Sequence, residues 1–291
     1  MNRVELSVII VAYKNKDILT DCIDSIMENN DDPDKVEIII VDNSPDYELY
    51  DYISSKYPQL LMIKSNNRGF GAGNNTGVKN SRGQYLLFLN PDTILIEPVF
   101  KFAISQFEKN PDLSTFGLSL LNKEKKKNYS FFFVDRFSVI SAVVIYILNK
   151  FDIFIPSIMH IHGANLFVRR EMFINAGMFD ENIFMYQEEP DLAKRIKKRY
   201  PNSRTAYFKN KHIVHLEGSC SPGFEGECNT LRRLVVTEKY YCKKYGLSLQ
   251  KRINERVQIL RIKMLIYKII NKNKYNEIKA YYDIYMEALD T

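Results

Sequence analysis

The chain has 291 residues, 45% of them apolar, and a formal net charge of +6, so it can build a large core and is not a disordered polymer. Its four cysteines (Cys22, Cys220, Cys228, Cys242) show no C-x-x-C spacing, which argues against a zinc site or a disulfide scaffold and for a reducing, cytoplasmic setting. No signal peptide is read at the start, and the longest uncharged apolar stretch, 137–149, falls short of the roughly 20 residues that cross a bilayer.

The first predicted strand is Leu6–Val11, followed by a helix over Asp17–Glu28 with Ile18, Cys22, Ile23 and Ile26 on one face. A second strand, Val36–Val41, stops at Asp42-Asn-Ser-Pro45, a sharp break. A short helix near Tyr47–Lys56 and a strand over Leu60–Lys64 come next. The segment Asn66–Gly77 reads as a glycine- and amide-rich loop leading into a short helix, and strand Tyr85–Leu89 then delivers Asn90-Pro-Asp92. This alternation implies parallel strands with helices on both faces.

Past Pro111 the pattern changes. A charged loop, Lys123–Lys127, precedes an apolar and aromatic stretch, 129–159, read as a helix packed on the core. Strand Asn165–Val168 and a helix from Arg170 lead to Gly177-Met-Phe-Asp-Glu181. Glu188-Glu-Pro-Asp191 opens a helix, with proline in the first turn and acids where the positive helix end favours them. Three helical patterns follow Cys228. Residues 229–291 carry 14 Lys/Arg against 6 Asp/Glu, so the basic surplus belongs to this tail. A solvated helical face explains such a surplus; an anionic membrane surface or a homodimer contact would also use it. No nucleic-acid motif accompanies the charge, and no nucleic-acid partner is expected.

Three groups carry chemistry. The glycine segment satisfies neither G-x-G-x-x-G, because Asn74 and Thr76 occupy the needed positions, nor a Walker motif, for want of its lysine. Its glycines still let backbone N–H groups approach an anion, with Arg68 beside them. Asp92, just past a strand end, is either a helix cap or the single carboxylate that a Mg²⁺ or Mn²⁺ ion bridging two phosphates requires. Glu188 and Glu189 are macrodipole charges or, beside the apolar run Phe184-Met-Tyr186, a general base with a raised pKa. His160/His162 and His212/His215 fit no metal motif, and most of them are expected to be structural.

In order, these pieces resemble the inverting family-2 glycosyltransferases with a GT-A fold, in particular their bacterial rhamnosyltransferase-like branch. The matching segments are Ser7–Asn15, Ile40–Ser44, Asn66–Gly77, Asn90–Thr93, Gly163–Arg170, Gly177–Glu181, Phe184–Leu192 and, more weakly, His215–Ser219. The resemblance implies an α/β, Rossmann-like, mostly parallel sheet with helices on both faces and a helical C-terminal extension. Its domains would be 1–228 (a nucleotide-sugar half, 1–110, and an acceptor half, 111–228) and 229–291. Ala12, Tyr13 and Asp42 would hold the donor nucleoside, and Asn67, Arg68 and Asn75 its diphosphate or sugar. Gly163 and Ala164 would line the substrate site. Asp92 and His215 would contact Mg²⁺ or Mn²⁺, with Glu189 as the base and Glu188 as runner-up. Two departures stand out: a single carboxylate in Asn90-Pro-Asp92, and glutamate where the base is commonly aspartate.

The resemblance implies transfer of a hexose or deoxyhexose from a nucleoside-diphosphate sugar to a lipid-linked or growing surface glycan. The tail's own pattern would dock a cytoplasmic enzyme peripherally on the inner membrane face, mediate dimerisation or brace the domain. A sugar nucleotidyltransferase and a non-catalytic nucleotide-sugar-binding protein of the same fold are the alternatives.

Overall fold

A computed structural model describes residues 3–136, 138–216 and 223–290. The first half alternates as its apolar pattern requires: β1 (Leu6–Ala12), α1 (Lys16–Asn29), β2 (Val36–Asp42), α2 (Glu48–Lys56), β3 (Leu61–Lys64), α3 (Phe70–Lys79) and β4 (Tyr85–Leu89). A short β5 (Thr93–Leu95), α4 (Phe100–Lys109), β6 (Leu113–Leu121), β7 (Phe131–Phe133), α5 (Val139–Lys150), β8 (Met159–Ile161) and β9 (Asn165–Arg169) follow. The chain continues through α6 (Arg170–Asn175), α7 (Glu188–Arg199) and β10 (Arg204–His215). Three long helices close it: α8 (Gly223–Tyr245), α9 (Leu249–Ile270) and α10 (Lys272–Asp290).

Eight strands form one sheet in the order β3-β2-β1-β4-β9-β6-β10-β5, in which only β9 and β5 run against the rest. Residues of β1 alternate between two cores, as a strand buried on both faces must. Leu6, Val8 and Ile10 meet Leu19 of α1, Leu49 of α2 and Phe100 of α4 in one core. Ile9 and Val11 meet Val78 of α3, Phe173 of α6 and Leu192 of α7 in the other. The expected mostly parallel sheet covered by helices on both faces is therefore the observed one.

Three segments differ from the sequence reading. Most of the glycine-rich segment is helix α3 rather than loop. Its glycines are there for close approach: a Cβ on Gly77 would stand 2.4 Å from the Ile9 side chain. At the helix entrance Gly69 has φ +104°, and a Cβ there would sit 2.1 Å from the Phe184 carbonyl oxygen. The stretch 129–159 is not one packed helix. It is a two-stranded antiparallel ribbon, β7–β8, bridged by α5, of which only Ile145 and Asn149 are buried. Finally, α8 runs unbroken across the expected boundary at 228/229, and Cys228 belongs to the core shared by α8, α9 and α10. No described helix is long and apolar enough to cross a membrane.

Candidate active site

Register places the site. Ala12 pairs with Asp42, Asp42 with Lys64, Leu89 with Asn165, and Thr93 with His215. The carboxyl ends of β1 to β4 and β10, and the loop entering the antiparallel β9, therefore share one edge of the sheet. Ligands of open α/β sheets bind at that edge.

Over β1, β2 and β3 lies a cavity of about 640 Å³ lined by Tyr13, Asn43, Ser44, Tyr47, Lys64 and Asn67, among others. Its frame is Asp42, fully buried, whose Oδ1 accepts from the Ser44 N–H at 2.8 Å and whose Oδ2 pairs with Lys64 Nζ at 2.8 Å. The Lys64 ammonium also stands over the Tyr47 ring, 5.2 Å from its centre. The result is a concave pocket with two exposed aromatic rings, Tyr13 and Tyr47, and a cation at its floor.

Beyond β4, the Asn90 N–H donates to the Ala164 carbonyl at 3.1 Å, tying the Asn90-Pro-Asp92 turn to the loop before β9. Asp92 and His215 are both buried, and Asp92 Oδ1 lies 3.2 Å from His215 Nε2. The His162 ring meets that of His215 edge-on at 5.2 Å, and its Nδ1 accepts from the Ala164 N–H at 2.9 Å. Burial, with repulsion from His215 and His160, pushes His162 down to about 3, so its imidazole is neutral. His160 is also neutral, pushed to about 4 by burial, and His212 pairs with Glu97; these two are structural.

The same loop reaches the acids. The Gly163 N–H donates to Glu189, and a Cβ built on Gly163 would stand 2.0 Å from Glu189 Oε1. Glu189 is half-buried, whereas Glu188 is almost fully buried under α3, its Cγ facing Gly71. Burial raises both carboxyls above the ordinary range, and Glu189 and Asp191 raise Glu188 further.

The turn that presents this pair is strained. Tyr186 (φ +66°) and Gln187 (φ +76°) are consecutive left-handed residues, each costing about 1 kcal/mol or more unless surroundings impose it. Helices α8 and α9 impose it. The Gln187 side chain lies 3.4 Å from both Glu238 and Arg252, and these two form a buried ion pair completed by Arg256 at 2.9 Å. Lys244 and Tyr245 grip Asp191, one turn further on. The C-terminal helices are thus bolted to the acidic turn.

With this geometry the sequence matches Glycosyl transferase family 2 over residues 7–177. The chain belongs to that family. Over 224 residues it is 27% identical to rhamnosyltransferase WbbL of Escherichia coli (strain K12), covering 72% of this chain and 82% of that protein. A glycosyltransferase of Rickettsia prowazekii (strain Madrid E) is 26% identical over 192 residues, and the match spans 57% of its length. Mannosyltransferase PcManGT of Pyrobaculum calidifontis, solved with GDP-Man and Mn²⁺, superposes with a TM-score of 0.62 at 13% identity, covering 99% of this chain and 86% of that one. That likeness establishes a shared GT-A fold.

In this family-2 glycosyltransferase the residues singled out from sequence separate into two groups. Tyr13 and Asn67 line the cavity, and Asp92, His215, Gly163, Ala164 and Glu189 converge beyond β4. Four others are engaged by other parts of the protein. Asp42 frames the cavity without lining it, and the Ala12 carbonyl accepts the Asn43 N–H at 2.9 Å. Asn75 is buried and clamps the Phe179 backbone with both amide atoms, so it does not face the cavity. Arg68 pairs with Glu181 at 2.9 Å on the rim, and that pair must open before its guanidinium meets a phosphate. Sequence reasoning missed Lys64, Asn43 and Tyr47 in the cavity wall; the charge ending the strand Leu61-Met-Ile-Lys64 was the available signal. Of the weaker His215–Ser219 match, positions 217–219 lie outside the described residues.

Gly163→Ala separates position from fold. The three atoms nearest the new methyl all belong to the movable Glu189 side chain, so the protein folds normally while the Glu189 carboxylate is driven aside. A displacement of about 1 Å costs on the order of 10² in rate. Turnover should fall at least tenfold at an unchanged melting temperature; equal turnover would detach Glu189 from Gly163.

Proposed function

We propose that this chain is an inverting glycosyltransferase that moves a hexose or deoxyhexose from a nucleoside-diphosphate sugar to a hydroxyl of a glycan or lipid-linked glycan. The observation that carries the reading is the loop 162–164. Its Gly163 N–H contacts Glu189, its Ala164 carbonyl accepts from Asn90 and its His162 ring meets that of His215, which supports a base and a leaving-group site gathered about one loop, as in-line displacement needs. The rhamnosyltransferase and mannosyltransferase relatives support a hexose or deoxyhexose donor.

The nucleoside enters the cavity, where Tyr13 and Tyr47 offer faces to the base and Lys64 carries the charge. Asp92 and His215, one carboxylate oxygen and one imidazole nitrogen 3.2 Å apart, suit Mg²⁺ or Mn²⁺ when substrate oxygens supply the remaining ligands. No group of three or more His, Cys, Asp or Glu side chains placed to hold a metal occurs among the described residues, and the donor diphosphate would supply further ligands. Such an ion, when bound, neutralises charge developing on the leaving diphosphate. Glu189 accepts the proton of the acceptor hydroxyl as its oxygen bonds to the anomeric carbon; the bond from that carbon to the diphosphate oxygen breaks, its electrons leave with the nucleoside diphosphate, and the configuration inverts. Glu188, buried behind it and raised by burial and by the Glu189 and Asp191 charges, holds its proton and keeps the pair's charge low.

The sign of the pH dependence follows. A base works deprotonated, and burial raises Glu189 above an ordinary glutamate. The rate should therefore rise with pH on an acid limb whose midpoint lies above the free-glutamate value of about 4.3. Gly163→Ala, by removing one N–H contact that lowers that pKa, should move the limb further up.

Melting curves with a panel of nucleotide sugars, with and without Mn²⁺, test donor and metal together, because a ligand at 100 times its Kd stabilises by about 2.7 kcal/mol. The expected stabilising donor then releases nucleoside diphosphate when an acceptor is supplied. Release of pyrophosphate from a nucleoside triphosphate would replace sugar transfer by nucleotidyl transfer, and donor binding without turnover across acceptors would leave only a binding role.

A further inference from the structure

Two helices leave apolar stripes uncovered. On α5, Ile140, Val143, Val144 and Ile147, continued by Phe151, recur at helical spacing, exposed between 38% and 75%. On α9, Ile262, Leu265, Ile266, Ile269 and Ile270 do the same, exposed between 45% and 88%. Single exposed apolar residues are ordinary, but two unbroken stripes on helices that begin side by side are not. Their beginnings meet at a cleft lined by Ser138 and Ser141 from α5 and by Ser248, Lys251 and Arg252 from α9.

Charge chooses what covers them. From Arg261 to Lys274 the chain carries Arg261, Lys263, Lys268, Lys272 and Lys274 and no acid, interleaved with the α9 stripe. The α5 stripe is uncharged from Ser138 to Asn149 and is flanked by the exposed Arg136 and Lys150. A second copy docked through a two-fold face would set these like charges against one another. An anionic lipid surface takes both parts of the pattern: apolar side chains enter the acyl boundary while lysine and arginine stay at the headgroups.

We propose that α5 and the second half of α9 form a surface that docks this protein on an anionic phospholipid bilayer without crossing it. The surface is distinct from the candidate active site, and docking does not depend on the reaction proposed there. It assigns a role to 129–159, whose apolar character the sequence reading had placed in the core.

The chain has no tryptophan, so Ile269→Trp and, separately, Phe151→Trp each give a reporter free of background. Full-length protein is mixed with vesicles of phosphatidylcholine alone or with about one third phosphatidylglycerol, and emission and sedimentation are recorded. The expected result is a blue shift for both reporters and at least fivefold more sedimented protein on the anionic vesicles. Val144→Glu/Ile147→Glu and Leu265→Glu/Ile269→Glu, all at exposed positions, should each cut the sedimented fraction at least fivefold at an unchanged circular dichroism spectrum. Lys263→Gln/Lys268→Gln should weaken binding to anionic vesicles and leave the residual binding to neutral ones. The proposal is overturned by absence of binding to either vesicle or by retention in both glutamate variants. A dimer in solution that these variants dissociate would overturn it too, by giving the stripes to a second copy.

Discussion

Glu189→Gln should lower kcat by on the order of 10² to 10⁴ while the donor Kd stays within about twofold of wild type. Glutamine is nearly isosteric, so it can remain beside Gly163 and preserve the shape of the loop that accepts the Asn90 N–H. What it loses is the anionic carboxylate oxygen, the only one basic enough to take the hydroxyl proton. Donor binding survives because the cavity over β1 to β3 contains neither glutamate. Single-turnover rates with saturating donor, beside calorimetric donor titration, separate the two quantities. Glu188→Gln sharpens the comparison: its carboxyl is buried, and its Oε1 meets no hydrogen-bond partner among the described residues. Burial and the Glu189 and Asp191 charges raise this carboxyl, so it is neutral beside an ionised Glu189, and an equally neutral glutamine should leave the acid limb in place with a smaller loss of rate. If Glu188→Gln proves the more damaging, the two glutamates exchange roles.

Arg252→Met should cost about 3–5 kcal/mol of stability, a large part of the roughly 5–15 kcal/mol that holds a typical native protein together. Arg252 is buried with Glu238, reaches Asp135 at 3.1 Å and touches Gln187 at 3.4 Å. Removing it leaves Glu238, itself 1% exposed, with Arg256 alone among the described residues to offset its charge. Urea unfolding would show a lower midpoint at an unchanged slope. The same substitution loosens the left-handed Gln187 turn, so kcat of the folded enzyme should fall while donor affinity holds. Arg252→Lys keeps the charge but not the fork that serves three partners, and should recover part of both. A near-neutral Arg252→Met would mean that hydrophobic packing among α8, α9 and α10 carries the junction alone.

How far the sequence was legible depended on the range of the forces involved. The strands β1, β2 and β4 and the helix α1 are written in local periodicity, and their ends came out within about a residue. Strand β10 was not read, because Lys209-Asn-Lys211 interrupts its alternation at the point where the pairing with β6 slips register. Most of helix α3 was taken for the loop before a short helix, since glycine lowers helix propensity and packing against Ile9 and Val41 offsets it. For 129–159, composition announced burial but not what would supply it. At the site, Asp92 and Glu189 were found as residue types at a strand end and a helix start, and His215 only through the family resemblance. The links between them, the 162–164 loop and the buried Glu238–Arg252 pair, join positions far apart in the chain, and no local pattern encodes them. Asn75 misled for the same reason: a polar residue beside glycines fits a ligand or a clamp equally well, and its partner Phe179 lies 104 positions away.

Crystals of the Glu189→Gln protein grown with its stabilising nucleotide sugar and Mn²⁺ would place every group at once. Manganese density should touch Asp92 and His215, the nucleoside should fill the cavity between Tyr13 and Tyr47, and the anomeric carbon should present to residue 189 the face opposite its diphosphate bond. A donor whose anomeric carbon is walled off from residue 189, or whose diphosphate lies away from Asp92, would remove these two acids from one reaction.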